Sequence, residues 1–272
     1  MKPPLLITGP MYPPTLAELE KTYDAQRLWT APDRNALLAA LGEKVTAVAS
    51  SNSGGIDAAT MAKLPKLKII SHFGVGYDTV DVDAARARGI AVTNTPDVLT
   101  EEVADLALAL LLATVRRVPQ GDRYVREGKW LKGAMPLTDT LQGKTVGIIG
   151  MGRIGRAIAR RLEAFNVKLA YQGPNRKPDL SWPYFAAPLE LARAADIVIA
   201  ACPGGEATRG LVSRAVIEAI GPQGVFVNIA RGSVVDEPAL IEALQSGKLG
   251  SAGLDVFADE PRVPEAFIAM DN

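Results

Sequence analysis

Short runs of apolar, β-branched residues alternate with helically spaced ones along most of the chain. In the first part "PLLITG", "VTAVAS", "KIISHF" and "IAVTNT" predict strands, with "AQRLWT" a weaker one. Between them "TLAELEKTY", "RNALLAAL", "DAATMAKL" and "DVDAARARG" predict helices. Strands that alternate with helices imply βαβ units, and so a parallel sheet with helices on both faces. The series ends near Pro96 and restarts after Gly143. There "TVGIIG", "KLAYQ", "DIVIAA", "VFVNIA" and "AGLDVF" predict strands, and "RIGRAIARRLEAF", "PLELARAA", "RAVIEAI" and "EPALIEALQSG" predict helices. These strands are almost wholly apolar, as strands buried on both faces must be. The expected fold class is α/β, with two doubly wound parallel-sheet domains over residues 1–97 and 98–272.

One long apolar stretch, roughly Leu99 to Val118, separates the two series and predicts a helix. Thr100 is placed to cap it, and Glu101 and Glu102 suit its positive N-terminal end. Apolar residues lie nearly all round it, which predicts cover on both sides. A looser segment follows, "PQGDRYVREGKWLKGAMPLTDTLQGK".

Charge narrows the function. Thirty basic residues balance thirty acidic ones, whereas phosphate-backbone binding needs a basic face, so nucleic acid is not an expected partner. Cys202 is the single cysteine, which rules out an intrachain disulfide and points to a reducing compartment. The apolar run near the N-terminus is too short for a signal peptide. "LALALLLATV" is too short to span a bilayer. A cytoplasmic protein without membrane or metal partners is expected.

"TVGIIGMGRIGRAIARRL" carries Gly150-x-Gly152-x-x-Gly155 between a strand and a helix. Many such glycine triplets are plain turns. In this context they permit a tight turn and close backbone approach to a pyrophosphate, seated on the helix N-terminus. An NAD site places Asp or Glu about twenty residues on, to bind the ribose 2′-hydroxyl. Here the strand ends at the uncharged Gln172, followed by Asn175, Arg176 and Lys177. Loss of the carboxylate and gain of two cations favour a 2′-phosphate, so NADPH is expected over NADH, with NADH possible. The competing reading of Arg176 and Lys177 is an ordinary solvated loop.

A nicotinamide cofactor exchanges hydride, so the protein must orient a carbonyl and move a proton. Arg231 in "VNIARGSVVDE" falls just past a strand end, where open α/β sheets bind ligands. Its guanidinium there can clamp a carboxylate, and the alternative is a surface salt bridge. "GLDVFADEP" brings Asp255 and Glu260 to the next strand end. The turn Gly74-Val75-Gly76 in "SHFGVGYD" offers backbone N–H groups to a carboxylate, or is simply a tight turn after a strand. The lone histidine, His72, reads as packed or solvated and not as catalytic.

These stretches, with "TEEVADLALALLLA", "GKWLKGAMPL" and "AGLDVFADEP", resemble the D-2-hydroxyacid dehydrogenases, and within them the glyoxylate/hydroxypyruvate reductases. The similarity runs from about Leu67 to Pro261. It implies that Arg231 orients the substrate and that Glu260 is the carboxylate partner of a catalytic histidine. It implies further that Val75 and Gly76 bind the substrate carboxylate, and that Arg153 and Ile154 belong to the pyrophosphate loop. Cys202, Pro203 and Thr208, which begins the following turn, would lie beside the adenosine. Thr100, Ala230 and Asp255 also fall at cofactor-binding positions. In similar reductases a loop after the long helix reaches a neighbouring subunit's site, so Trp130 would line a substrate pocket in a homodimer. The family's histidine lies beyond the last matched motif. The chain is therefore expected to be part of a longer protein, and as written to bind cofactor but turn over little substrate. Implied is NADPH-dependent reduction of glyoxylate or hydroxypyruvate to the 2-hydroxy acid. A phosphoglycerate- or D-lactate-type dehydrogenase, or a non-catalytic NAD(P)H sensor on the same fold, remains open.

Overall fold

The computed structural model describes residues 2–272, which form two compact units divided between Leu99 and Thr100. In the first unit the strands are β1 (Pro4–Ile7), β2 (Asp24–Arg27), β3 (Ala47–Ser51), β4 (Ile69–Phe73) and β5 (Ala91–Thr93). The helices are α1 (Pro13–Thr22), α2 (Arg34–Leu41), α3 (Ala58–Ala62) and α4 (Val82–Ala87). All strand pairs are parallel, in the order β2-β1-β3-β4-β5. This is the flavodoxin-like order, whose direction reverses between β1 and β3. Asp33, Asp57 and Asp81 cap α2, α3 and α4 by accepting from backbone N–H groups of the first turn, which satisfies donors that each helix leaves open. "AQRLWT" divides: Asp24–Arg27 is strand, and Leu28–Thr30 turns into a short 3₁₀ helix.

The second unit opens with α5 (Thr100–Val115) and α6 (Val118–Arg126). Its strands are β6 (Thr145–Ile149), β7 (Lys168–Gln172), β8 (Tyr184–Phe185), β9 (Ile197–Ala200), β10 (Val225–Asn228) and β11 (Ser251–Leu254). Its further helices are α7 (Arg153–Leu162), α8 (Pro188–Ala194), α9 (Arg214–Ile220), α10 (Glu237–Gln245) and α11 (Glu265–Ile268). The sheet order is β11-β10-β9-β6-β7-β8, again parallel throughout. Counted from β6, this is the Rossmann order 3-2-1-4-5-6, with its reversal between β6 and β9. Val146, Ile148, Ile149, Val198, Ile199, Phe226 and Val227 are wholly buried, because helices cover both faces.

The expected helix from Leu99 to Val118 is shorter and does not continue straight. Arg117 adopts a left-handed conformation (φ 50°), and α6 starts afresh at Val118 with a proline in its first turn. Proline is suited to that position, where its missing N–H costs nothing, so the segment read as loose is helical as far as Arg126, with a 3₁₀ turn at Lys129–Leu131. Thr100 is the first helical residue of α5, not its cap. One face of α5, Ala104, Ala107, Leu111 and Val115, is buried, while Leu106 on the opposite side is exposed, so within this single chain only one side is fully covered. That buried face packs on α7, β10 and β11. Arg161 of α7 reaches back to Asp105 (2.6 Å) and Glu101 (2.7 Å). Among the described residues no helix is long and apolar enough to cross a membrane.

Candidate active site

The glycine loop lies at the reversal point of the second sheet. Gly150 follows β6 with φ 97°, a conformation open to glycine, and a β-carbon there would lie 2.6 Å from the Cys202 backbone. Gly155 packs in the same way on the Gly150 carbonyl. Gly152, which starts α7, is different: a β-carbon on it would meet open space. Two of the glycines therefore serve packing, and the third leaves a bare backbone face at the start of a ten-residue helix led by Arg153 and Ile154. A pyrophosphate fits such a face, because the N–H groups of a helix start and the helix dipole both favour an anion. The residues present fit a dinucleotide.

Gln172 is buried and donates its amide N–H to the Ala186 carbonyl at 3.1 Å. It carries no charge into the loop beyond β7. Asn175 and Arg176 are exposed there, and Lys177 is half-buried. The backbone N–H of Lys177 donates to the Tyr171 hydroxyl at 2.8 Å, which ties the loop to β7. Cys202, at the end of β9, is buried, and desolvation pushes its thiol up to about 11. Pro203 beside it is exposed. Thr208 closes the short 3₁₀ turn instead of beginning it, and its hydroxyl donates to the Pro203 carbonyl at 2.7 Å.

Past β10 the chain builds a rigid corner. Asn228 is buried (1% exposed). Its amide donates to the Arg231 carbonyl and its side-chain oxygen accepts from Ala230 N–H, both at 3.0 Å. Arg231 is half-buried, and its Nη1 donates to the Ala230 carbonyl at 2.8 Å. Gly232 packs on the backbone of Phe257 and Ala258 so closely that a β-carbon would overlap them. The Arg231 corner and the loop that bears Glu260 are thereby locked together. Within that loop Phe257 N–H donates to Glu260 Oε1 at 3.0 Å. Asp255 lies beside them, its carboxyl held above the usual range by partial burial and then by the Glu260 charge. A cation and two acids thus share one end of the sheet, where a substrate carboxylate and a proton donor can be held. Asn228 was invisible to motif reading. Its only signal is a polar residue ending an otherwise apolar strand, "VFVN".

In the first unit the Gly74–Gly76 turn follows β4. The Gly74 carbonyl accepts from Thr95 N–H at 3.0 Å, and the Val75 carbonyl accepts from the Asn94 amide at 2.8 Å. Trp130 stands in a 3₁₀ turn after α6 and is two-thirds exposed (67%), beside Leu131. Among the described residues no group of three or more His, Cys, Asp or Glu could hold a metal ion.

A Rossmann sheet with an open glycine loop, and an arginine with acids at its strand ends, define an NAD(P)-binding oxidoreductase. The comparisons with known proteins take the class further. The profile of the D-isomer specific 2-hydroxyacid dehydrogenase NAD binding domain matches residues 108–272. Glyoxylate/hydroxypyruvate reductase A of Arabidopsis thaliana is 49% identical over 255 residues, which cover 94% of this chain and 82% of that protein. Hydroxyphenylpyruvate reductase of Plectranthus scutellarioides is 46% identical over 268 residues, covering 98% of this chain and 86% of that protein. Among solved structures, an NADPH-dependent glyoxylate/hydroxypyruvate reductase from Sinorhizobium meliloti, in complex with NADP and malonate, superposes with a TM-score of 0.90 at 44% identity. That superposition covers 100% of this chain and 84% of that one. The chain belongs to the D-isomer specific 2-hydroxyacid dehydrogenase family.

Proposed function

We propose that this protein reduces a small 2-oxo acid, glyoxylate or hydroxypyruvate, to the D-2-hydroxy acid with NADPH. The reductases of Arabidopsis thaliana and Sinorhizobium meliloti carry those two substrates in their names. The observation that carries the reading is the corner in which Asn228 holds the Arg231 backbone while Gly232 seats it on the Glu260 loop. The nicotinamide, when bound, supplies the hydride. Arg231 grips the substrate carboxylate and draws electron density from its carbonyl, as a guanidinium can through paired N–H groups. Glu260 would hold the protonated imidazole of the catalytic histidine that the resemblance implies, a residue other than His72, stabilising its charged form and readying it as a general acid. Val75 and Gly76 present backbone N–H groups to the carboxylate. Gly150, Gly152, Arg153, Ile154 and Gly155 hold the pyrophosphate, and Ala230 and Asp255 border the nicotinamide. Asn175, Arg176 and Lys177 take the 2′-phosphate, in agreement with the uncharged, inward-turned Gln172.

On this reading residues 1–97 are the substrate domain and 98–272 the cofactor domain. The enzyme acts in the cytoplasm as a homodimer, with Trp130 in a substrate pocket. The balanced charge and single cysteine support the compartment, and the exposed apolar side chains Val118, Val125, Trp130 and Leu131 support the dimer. The test is hydroxypyruvate-dependent loss of NADPH absorbance in protein isolated from its source. Turnover that vanishes in Arg231→Ala is the expected result. Tight NADPH binding without reduction of either acid would sink the reductase reading in favour of a cofactor sensor.

A further inference from the structure

We propose that His72 is a positioning residue for substrate binding: by donating from Nε2 to the Gly76 carbonyl it sets the turn that receives the substrate carboxylate. The inference rests on the proposed role of Val75 and Gly76 as carboxylate donors. Sequence reading left His72 without a task, since it lies inside a strand and away from every motif acid.

The strand register puts the histidine there. Residues of β4 alternate outward and inward, and His72 is an inward one, 1% exposed. Its partner across the parallel pair is Ser50 of β3. Side chains of paired residues share a face of the sheet, and the Ser50 hydroxyl lies 2.9 Å from His72 Nδ1. On the other side of the ring, Nε2 lies 2.9 Å from the Gly76 carbonyl and 3.0 Å from Asn52 Oδ1. A backbone carbonyl can only accept, so the proton of a neutral ring must sit on Nε2. Nδ1 is then the acceptor, and Ser50 donates to it. Gly74 makes the arrangement possible, because a β-carbon there would lie 2.8 Å from His72 Nε2.

The bond to Gly76 completes a series. The carbonyls of Gly74, Val75 and Gly76 accept in turn from Thr95 N–H, the Asn94 amide and His72 Nε2. A trans peptide is planar, so each carbonyl direction fixes the opposite direction of the next residue's N–H. None of these peptides is cis. Each of the three bonds therefore sets the direction of one N–H, on Val75, Gly76 and Tyr77 in turn, and successive N–H groups held in this way can serve as donors to an anion. His72 governs the last of the three, and with it the ψ angle of Gly76, a residue that has no side chain to restrain it. Without that bond the end of the turn is free to rotate, and the carboxylate must order it on binding.

Two substitutions separate positioning from packing. Glutamine places an amide donor near the site of Nε2, whereas asparagine reaches only as far as Nδ1. In NADPH-loaded protein, His72→Asn is expected to weaken binding of oxamate, a non-reducible 2-oxo acid analogue, about tenfold, on the scale of one buried hydrogen bond. KM for hydroxypyruvate should rise by the same factor, with kcat and NADPH affinity within about twofold of native. His72→Gln should recover most of the loss. Gly74→Ala, which displaces the ring, should repeat the asparagine result. Oxamate affinity unchanged in a folded His72→Asn protein overturns the proposal, and so does a glutamine variant as weak as the asparagine one. A ring ¹⁵N spectrum with the proton on Nδ1 overturns it whatever the kinetics. If native protein binds no oxamate, the carboxylate role of the turn falls and this inference with it. That outcome differs from an intact native site indifferent to His72.

Discussion

Gly232 lies so close to the Phe257 carbonyl that any larger residue must push the two loops apart. This contact joins the corner of Arg231 to the loop of Glu260. Gly232→Ala should cost roughly 1–3 kcal/mol of stability, the usual range for overpacking a tight site. It should also lower kcat/KM for the 2-oxo acid more than it weakens NADPH, because the glycine loop that holds the pyrophosphate is built elsewhere on the sheet. Urea denaturation and cofactor titration check both halves. A variant of native stability and native activity would show that the two loops need no such contact.

Arg176 stands exposed beyond β7, four residues after the inward-turned Gln172. Arg176→Ala should weaken NADPH by about tenfold and leave NADH almost unchanged, since a charge-assisted bond to phosphate is worth roughly 1.5–3 kcal/mol before solvent screening reduces it. Fluorescence titration with each cofactor decides the point. Equal weakening of both would mean that the loop does not read the 2′-phosphate.

Burial raises the Cys202 thiol from an ordinary 9.0 to about 11. The folded state therefore holds this proton more tightly than the unfolded chain does. Its contribution is whole below pH 9 and is lost as pH rises towards 11, a change on the order of 2–3 kcal/mol. Urea midpoints across that window should fall more steeply in native protein than in Cys202→Ala. Parallel curves would show that another group controls the alkaline limb.

Asp255 is held above the usual carboxylate range, first by partial burial and then by Glu260. A raised folded value means that stability falls as pH climbs past the ordinary 3.8 and through the folded value. Above that window Asp255→Asn should unfold at a higher temperature than native protein, and the gain should vanish at lower pH. Glu260→Gln should give a smaller gain of the same sign. An asparagine variant less stable than native at neutral pH contradicts this.

Val125 on α6 and Leu131 after it are 56% and 94% exposed. Light scattering is expected to give the mass of two chains, and the double change Val125→Asp with Leu131→Asp should shift it towards one. A one-chain mass for native protein would end the dimer reading.

Where side-chain pattern alone decides structure, the elements were legible. "RNALLAAL", "KLAYQ" and "RAVIEAI" coincide with α2, β7 and α9, because apolar spacing reports directly which face or strand is buried. The break at Arg117 was not, since a left-handed residue other than glycine leaves no mark in the pattern. Nor was α6, whose Pro119 and Gly121 look like breakers until one knows that the proline lies in a first turn.

The sequence alone determined the α/β class, the two parallel series, the glycine loop and the charges at Arg231, Asp255, Glu260 and Arg176. Those depend on residue type and local spacing. Tertiary structure alone decided the partnerships: His72 with Gly76, Asn228 with Arg231, Gly150 with Cys202 and Gly232 with Phe257. The first two of these are short in sequence but depend on which way a peptide plane turns, and the last two join segments far apart along the chain. Strand register and the close approach of loops at the sheet ends fix such contacts, and neither is carried by the identity of a single residue.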